Sequence, residues 1–560
     1  MAYAPGTTAI PVLILKQDVR RERGKKAIFG NISAARAVSD IVRSTLGPRG
    51  MNKMLVDSLG DIVITNDGAT ILDELDVAHP AGKLLVQAAK AQDNEAGDGT
   101  TSVAIFAGEL LNLAEKLLDR GIHPILIVNG YRKALKKARE YLEEKLAKVV
   151  DIDDIHTMKR VAISALNSKL PQEVREYFAE LAYQAAKLAY DQERNYLDLE
   201  MISIIQKEGK SLLDSEFVAG VVIDKKIVHA EMPRIKRNAR IALIDQNIEV
   251  EKADITSNIT LNSLEALETL KEKEKEEIEK MIKKLIDLKV DVVFCQRGIS
   301  DIAQDIMAKH GIMAVRRVRR LDMLLLSKST GAKIVSSIED LTEEDLGHAG
   351  LVVQKKVGED KMIYVQECKN PKAATLIVRG ASKHITDEAE RALKDALHVL
   401  KDVFEDKKIA PGAGATEVAI ATYIRNWALS TEDLSGKEKE VVIAFSDALL
   451  TIPKALIENM GGDVIELLGE LEKKNSEEPG KWGFDAQLGE IVNVDEVELI
   501  DPLRVKKYVL STAVDAAVTI LRIDDVIASK PKKEEAKKPG QGGPGMGGGM
   551  GGGMGGAPEF

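Results

Sequence analysis

Cysteine is nearly absent: Cys295 and Cys368 are the two in 560 residues. Two thiols cannot make a disulfide framework, so a reducing compartment, the cytoplasm, is the expected location. The eight histidines are scattered, with no His-Glu-x-x-His and no Cys-x-x-Cys, so the usual zinc spacings are missing. Aromatics make up only 4%, which leaves Ala, Val, Ile and Leu to build the cores. Excess positive charge is lacking too. The balance is −10, which argues against a chain-wide nucleic-acid surface. No uncharged apolar run is long enough to span a bilayer. The N-terminal MAYAPGTTAIPVLILKQD has an apolar patch but neither the basic start nor the cleavage signature of a secretion signal. There is no GxxxxGK[ST], and no kinase-type GxGxxG followed by a Val-Ala-Ile-Lys strand, so neither a P-loop NTPase nor a protein kinase is expected.

What is present is a long, globular composition, 44% hydrophobic and 30% charged, enough for about three domains. The first 150 or so residues read mainly helical, with short β-like runs such as MLVD and IVIT. From Glu216 the texture changes to β-rich runs (FVAGVVIDKKIV, ARIALID, VDVVFCQ) separated by helices, an α/β pattern. From Pro371 it reads helical again, ending in a helix over Leu510 to Ser529. The fold class is therefore multidomain α and α/β, with the two helical ends expected to fold together around an inserted middle. Residues 530–560 are rich in Gly, Met and Lys and are expected to be disordered.

The chemistry concentrates in NEAGDGTTS, residues 94–102, which runs straight into an apolar helix pattern. One capping oxygen satisfies a helix start, whereas here Asp98 is flanked by Gly97 and Gly99 and followed by Thr100, Thr101 and Ser102. Glycines admit close approach of a ligand, and first-turn N–H groups with the helix dipole attract an anion. An acid beside phosphates needs a cation between, and Mg²⁺ is the natural bridge. Asn66-Asp67-Gly68-Ala69-Thr70 repeats the design, although alone it is also ordinary turn and N-cap chemistry. Ser44 to Gly50, with Leu46, Gly47 and Pro48 at its centre, could wrap a phosphate or simply end a helix. Gly412-Ala413-Gly414 is small enough to admit a base or ribose.

Two other stretches stay open on pattern. The basic run Ala314 to Arg320 suits a solvated strand edge or a subunit contact better than nucleic acid, because no aromatics interleave it and the chain is acidic overall. The charged helix pattern after Asn258, with Leu261, Leu264, Leu267 and Leu270 in step, is either a plain amphipathic helix or an arm that contacts another molecule.

Taken together, PVLILK, STLGPRGMNKMLVDSLGDIVITNDGATIL, HPAGKLLVQAAKAQDNEAGDGTTS, VVIDKKIVHAEMP, DVVFCQRGISDIAQ, MAVRRVRRLDM, ECKNPKAATLIVRG, DPLRVK and the Gly-Met tail resemble the group II chaperonins. The resemblance implies an equatorial ATPase domain split over 1–152 and 410–529, and an intermediate domain split over 153–221 and 371–409. It implies an apical domain at 222–370 with a protrusion at about 256–288 that acts as a built-in lid. Two stacked rings of own or sister subunits would enclose non-native polypeptide, with ATP and ADP bound and Mg²⁺ required.

Residue roles follow the same resemblance. Asp98 matches the metal-binding aspartate, and Gly97, Gly99, Thr100, Thr101 and Ser102 match the phosphate-binding turn. Asp67, between Asn66 and Gly68, matches a carboxylate that positions the attacking water, and Leu46 to Pro48 match the backbone wrap. Asp395 matches the catalytic aspartate of the intermediate domain, although its pattern is that of a solvated helix residue. Lys169 matches a loop that senses the γ-phosphate; Gly412, Ala413, Gly414, Asp485 and Asp501 are expected to bind the nucleotide. Ala413 departs from a family glycine, Asn167-Ser168-Lys169 from Thr-Gly-Lys, and Asp501 from a frequent Glu. A nucleotide-binding structural or RNA-binding scaffold is the alternative; a metabolic kinase would need a phosphate-binding Lys motif that is missing.

Overall fold

The computed structural model describes residues 19–56, 60, 62–167, 169–249, 264–369 and 371–529. Pro11 to Lys16, Ser168, Leu261 and the Gly-Met tail lie outside the described residues. The described residues gather around three large apolar cores. The first draws on both ends of the chain, from Ile28 to Leu146 and from Ala410 to Leu521. The second is confined to Val221 through Ala373. The third joins Met158 to Ile202 with Ala374 to Ile409, and Ile500 reaches it.

The first core is helical because its sequence keeps small and aliphatic residues on inward faces. Helix Thr100–Asp119 is buried on most sides through Val103, Phe106, Leu110, Leu111, Ala114 and Leu117. Helices Pro80–Ala96 and Pro124–Tyr141 begin alike, with proline in the first turn and a histidine as N-cap. His79 and His123 each accept from the N–H two residues on, at 3.2 Å, while proline brings no surplus N–H. Few aromatics suffice to lock this core: Phe445 meets Phe106 edge-on, and Tyr131 donates to the Leu110 carbonyl at 2.8 Å.

The middle carries a nine-stranded sheet. Ile235–Ile244, Val292–Cys295 and Met313–Val315 run parallel. The paired stretches, Ile241–Ile244 with the two shorter strands, are apolar and buried, as strands covered on both faces should be, while the first half of Ile235–Ile244 carries Lys236, Arg237, Asn238 and Arg240. Gly347–Val357, Asp360–Gln366 and Glu216–Ile223 continue it antiparallel to Ala374–Gly380, which pairs in parallel with Ile202–Glu208. The arginine run leaves the sheet's end strand at Val315 and is exposed at Arg316, Arg317, Arg319 and Arg320.

Two sequence expectations need correction. The final helix is Leu503–Leu521, not 510–529; Asp525–Ser529 is a strand, paired antiparallel with Val19–Arg23. The β-branched Val526 and Ile527 and the ion pairs of Asp525 with Arg21 and Arg23 favour pairing over a further helical turn. The region after Pro371 is also not uniformly helical. It contains Ala374–Gly380, Lys408–Pro411 and the hairpin Trp482–Asp485/Glu490–Asn493. The charged helix is Leu264–Asp287, so the proposed arm's first residues lie outside the described region.

Candidate functional site

The Asp-Gly-Thr stretches, far apart in the first core's sequence, touch. Helix Pro80–Ala96 ends on Gly97 at φ 61°, and Gly99 at φ 83° starts the next helix without offering a side-chain cap. Two left-handed residues flank Asp98, a turn that only glycine enters at low cost. A Cβ on Gly68 would lie 2.3 Å from Thr101 Oγ1, so the 66–68 loop packs directly on the start of the 100–119 helix. Gln92 Nε2 fastens the turn from below by donating to the Asp98 carbonyl at 2.8 Å.

Asp67 does two things at once. Its Oδ2 accepts from Thr70 N–H (2.9 Å) and Thr70 Oγ1 (2.7 Å), capping helix Gly68–Glu74. Its Oδ1 accepts from Lys169 Nζ at 3.3 Å. One oxygen of Asp67 thus performs the N-cap chemistry of NDGAT, and the other meets Lys169. Lys169 also pairs with Asp395, on helix Lys383–Asp406 of the third core. That helix buries Ala392, Leu393, Ala396, Leu397 and Leu400, and Asp395 stands at the edge of this stripe, facing the first core.

A cavity of about 210 Å³ opens between these groups. Leu46, Gly47, Pro48, Asn66, Asp67, Gly68, Gly97 to Ser102, Lys169, Asp395, Ala413, Gly414, Asp485 and Asp501 all line it. Of the residues expected from sequence, Gly412 alone does not; it sits just behind, its N–H donating to Leu499 O at 2.8 Å. The Leu46 carbonyl is already taken by Asn459 Nδ2 at 2.8 Å, which holds that loop in place. Asp485 accepts from the N–H of Gln487 at 2.8 Å and so closes its own hairpin turn beside the cavity.

Asp93, Ser164, Glu417 and Lys506 also line the cavity and were not picked out from sequence. Lys506 Nζ donates to both Asp501 Oδ2 and Glu417 Oε1 at 2.8 Å, and Ser164 donates to Asp501 Oδ1 at 2.9 Å. The available signal was an acid in the first turn of a helix that follows Gly-Ala-Gly, and a lysine one turn after Asp-Pro. Both patterns are common.

Charge dominates the cavity. Asp67, Asp93, Asp98, Asp395, Glu417, Asp485 and Asp501 make seven carboxylates against two cations, Lys169 and Lys506. Burial, with repulsion from Asp501, pushes the Asp98 carboxyl up to about 6. Burial and then Asp67 likewise raise Asp93. Burial also lifts Asp395, helped by Asp67 and opposed by Lys169. At Asp67 burial pulls upward, but Lys169 and Thr70 outweigh it and hold the carboxyl below its usual range. Burial pulls the Lys169 ammonium's pKa down, but Asp395 and Asp67 outweigh it and hold it above its usual range.

Such a cavity cannot take phosphates alone; the anion must arrive with positive charge. No cluster of three or more His, Cys, Asp or Glu among the described residues forms a ready-made metal cage. The donor set is what Mg²⁺ uses with a nucleotide, one carboxylate with phosphate oxygens and water filling the rest. Asp98, half-buried between two left-handed glycines beside an uncapped helix start, is a carboxylate that could hold such an ion.

Residues 38–531 match the model of the TCP-1/cpn60 chaperonin family. The chain is 48% identical to thermosome subunit beta of Aeropyrum pernix, covering 93% of this chain and 94% of that one. It is 47% identical to a thermosome subunit of Pyrococcus horikoshii (96% and 97% covered) and 44% identical to thermosome subunit alpha of Archaeoglobus fulgidus (97% and 99%).

Proposed function

The chain belongs to the TCP-1/cpn60 chaperonin family as a group II chaperonin, and from that premise we propose that its cavity hydrolyses ATP with Mg²⁺ to drive closure over non-native protein. The observation that carries the reading is the convergence of Asp67, Asp98 and Asp395 on one cavity, with Lys169 paired to both Asp67 and Asp395. The turn 97–102 and the 46–48 loop bind the phosphates, and Ala413, Gly414 and Asp501 take the nucleoside end. Asp98 would hold the magnesium ion, which supplies charge neutralisation for the phosphates.

Phosphoryl transfer asks mainly for positioning and charge balance. Asp67 orients a water toward the γ-phosphorus. The water oxygen bonds to phosphorus, the bond to the β,γ-bridging oxygen breaks, and that electron pair leaves on ADP. Asp395 takes the water proton, a role suited to a carboxyl whose proton affinity burial has raised. Because Asp395 stands on the helix of the third core, hydrolysis depends on how that helix meets the first core.

Ring assembly with own or sister subunits has a candidate surface. In the hairpin Lys53–Val56/Ile62–Thr65, Met54 opposes Ile64 and Val56 opposes Ile62 across the strands, and all four are exposed. One apolar face of this kind left in solvent is a contact waiting for a partner. Client protein would meet the exposed Leu321 and Leu324 of helix Arg320–Thr330. Among the described residues no helix is long and apolar enough to cross a membrane. The scaffold alternative is not favoured by relatives that match over nearly their whole length.

Electron micrographs of the purified protein test the reading. Stacked double rings that close on addition of ATP with Mg²⁺ support it; monomers, or rings indifferent to nucleotide, overturn it.

A further inference from the structure

A second cavity, of about 330 Å³, lies against the first. The residues that line both are Asp67, Asp93 and Asp395. One wall comes from helices Gly68–Glu74 and Pro80–Ala96 and includes Lys90; the facing wall is the 383–406 helix, with Arg391 and Lys394. The mechanism above gives this space no task.

Its two ends differ in charge. The partition toward the nucleotide cavity is made of carboxylates, and the walls beyond it carry the three cations together with one further carboxylate, Asp73. Each cation is held by an acid: Lys90 by Asp73, Arg391 by Glu388 at 2.7 Å, and Lys394 by Glu390 at 2.7 Å. The Lys90 and Lys394 side chains are 45% and 57% exposed. Pairs this open to water are worth about 0–1 kcal/mol, so a passing dianion can displace their partners.

We propose that this second cavity is the exit for orthophosphate, which leaves past Asp67 and Asp395 and over Lys90, Arg391 and Lys394 while ADP stays in the first. The proposal rests on the nucleotide reading of the first cavity. In-line displacement puts the attacking water, and with it the freed phosphate, on the side of phosphorus away from ADP. The two residues assigned to that water, Asp67 and Asp395, are among the three the cavities share. The product is therefore formed at the partition, with ADP behind it and the second cavity ahead. The space is several times the roughly 30 Å³ that one water occupies, enough for a hydrated phosphate. Once through, phosphate is kept from returning by three carboxylates and drawn outward by the cations, a local field that acts over a few ångströms.

The test uses the assembled protein with Arg391→Glu and Lys394→Glu together, and Lys90→Glu as an independent second variant. Rapid quench measures the single-turnover hydrolysis step, a fluorescent phosphate sensor measures release, and a fluorescent ADP measures nucleotide departure. The expected result is slowing of phosphate release by about tenfold, with hydrolysis and ADP departure changed less than about twofold. Orthophosphate added to ADP-loaded protein should show a ³¹P line broadened by the wild type and sharp with either variant. Unaltered phosphate release, or equal broadening by wild type and variants, overturns the exit while leaving the nucleotide site intact. Absence of any hydrolysis burst in the wild type is a different result, one that removes the nucleotide reading and the exit with it.

Discussion

Gly97 and His398 are in contact across the junction of the first and third cores. A Cβ placed on Gly97 would come within 2.1 Å of the His398 Cβ. The turn proposed to bind phosphate is thus seated against the helix that carries Asp395, one turn away from that aspartate. Alanine at Gly97 must take a left-handed backbone and push this helix outward. Misplacing a catalytic group by about 1 Å can cost on the order of 10²-fold in rate. We expect Gly97→Ala to lose hydrolysis by that order while binding of ATP weakens far less. Adding His398→Ala, which opens the space, should restore part of the rate; rapid-quench kinetics on the three variants decide it.

Seven carboxylates against two lysines predict that nucleotide binding is conditional on a divalent cation. Chelating Mg²⁺ should weaken ATP binding at least about 100-fold, read by titration calorimetry.

The same excess acts on stability. The folded pKa of Asp98 lies near 6, above its ordinary 3.8. The folded state therefore holds the proton more tightly, and stability falls as pH rises through roughly 4 to 6. Asp98→Asn removes that loss. The empty variant should be more stable than wild type at pH 7 by about 1–3 kcal/mol, with a flatter melting profile between pH 4 and 6. A variant that gains stability while losing Mg-dependent ATP binding is the signature of a site kept at the expense of the fold.

Ala413 occupies φ 53°, where a glycine would be unstrained; its carbonyl accepts from Phe484 N–H at 2.9 Å, which fixes the turn. A left-handed alanine costs roughly 1–2 kcal/mol, and glycine returns about 0.4–1 kcal/mol of that through a freer unfolded chain. Ala413→Gly should stabilise by about 0–1 kcal/mol in denaturant titrations and leave nucleotide affinity unchanged.

The exposed pairs Met54–Ile64 and Val56–Ile62 predict an assembly defect. Met54→Glu places a charge on that face and should shift the protein toward single subunits in sedimentation, with helical content retained.

The α and α/β textures were legible because burial imposes a period, and the turn 97–102 because it spends more polar groups than a helix start needs. Asp395 was not legible by pattern. A carboxylate at the edge of an amphipathic stripe looks solvated until another part of the chain folds over it, and its contacts with Lys169 span 226 residues. The Glu417–Lys506–Asp501 network escaped for the same reason, since each member is ordinary alone. The strand at 525–529 was read as helix because Ile527 and its neighbours suit either period over so short a run, and only pairing with 19–23 decides.

The central claim is that one cavity binds Mg-ATP with residues of the first core and cuts it with a carboxylate from the third. Asp395→Asn keeps the size of the side chain and tests this most directly, with ATP affinity and single-turnover hydrolysis measured on the same preparation. The account predicts unchanged affinity within about threefold and hydrolysis reduced by about 10²-fold or more. Hydrolysis at the wild-type rate would contradict it.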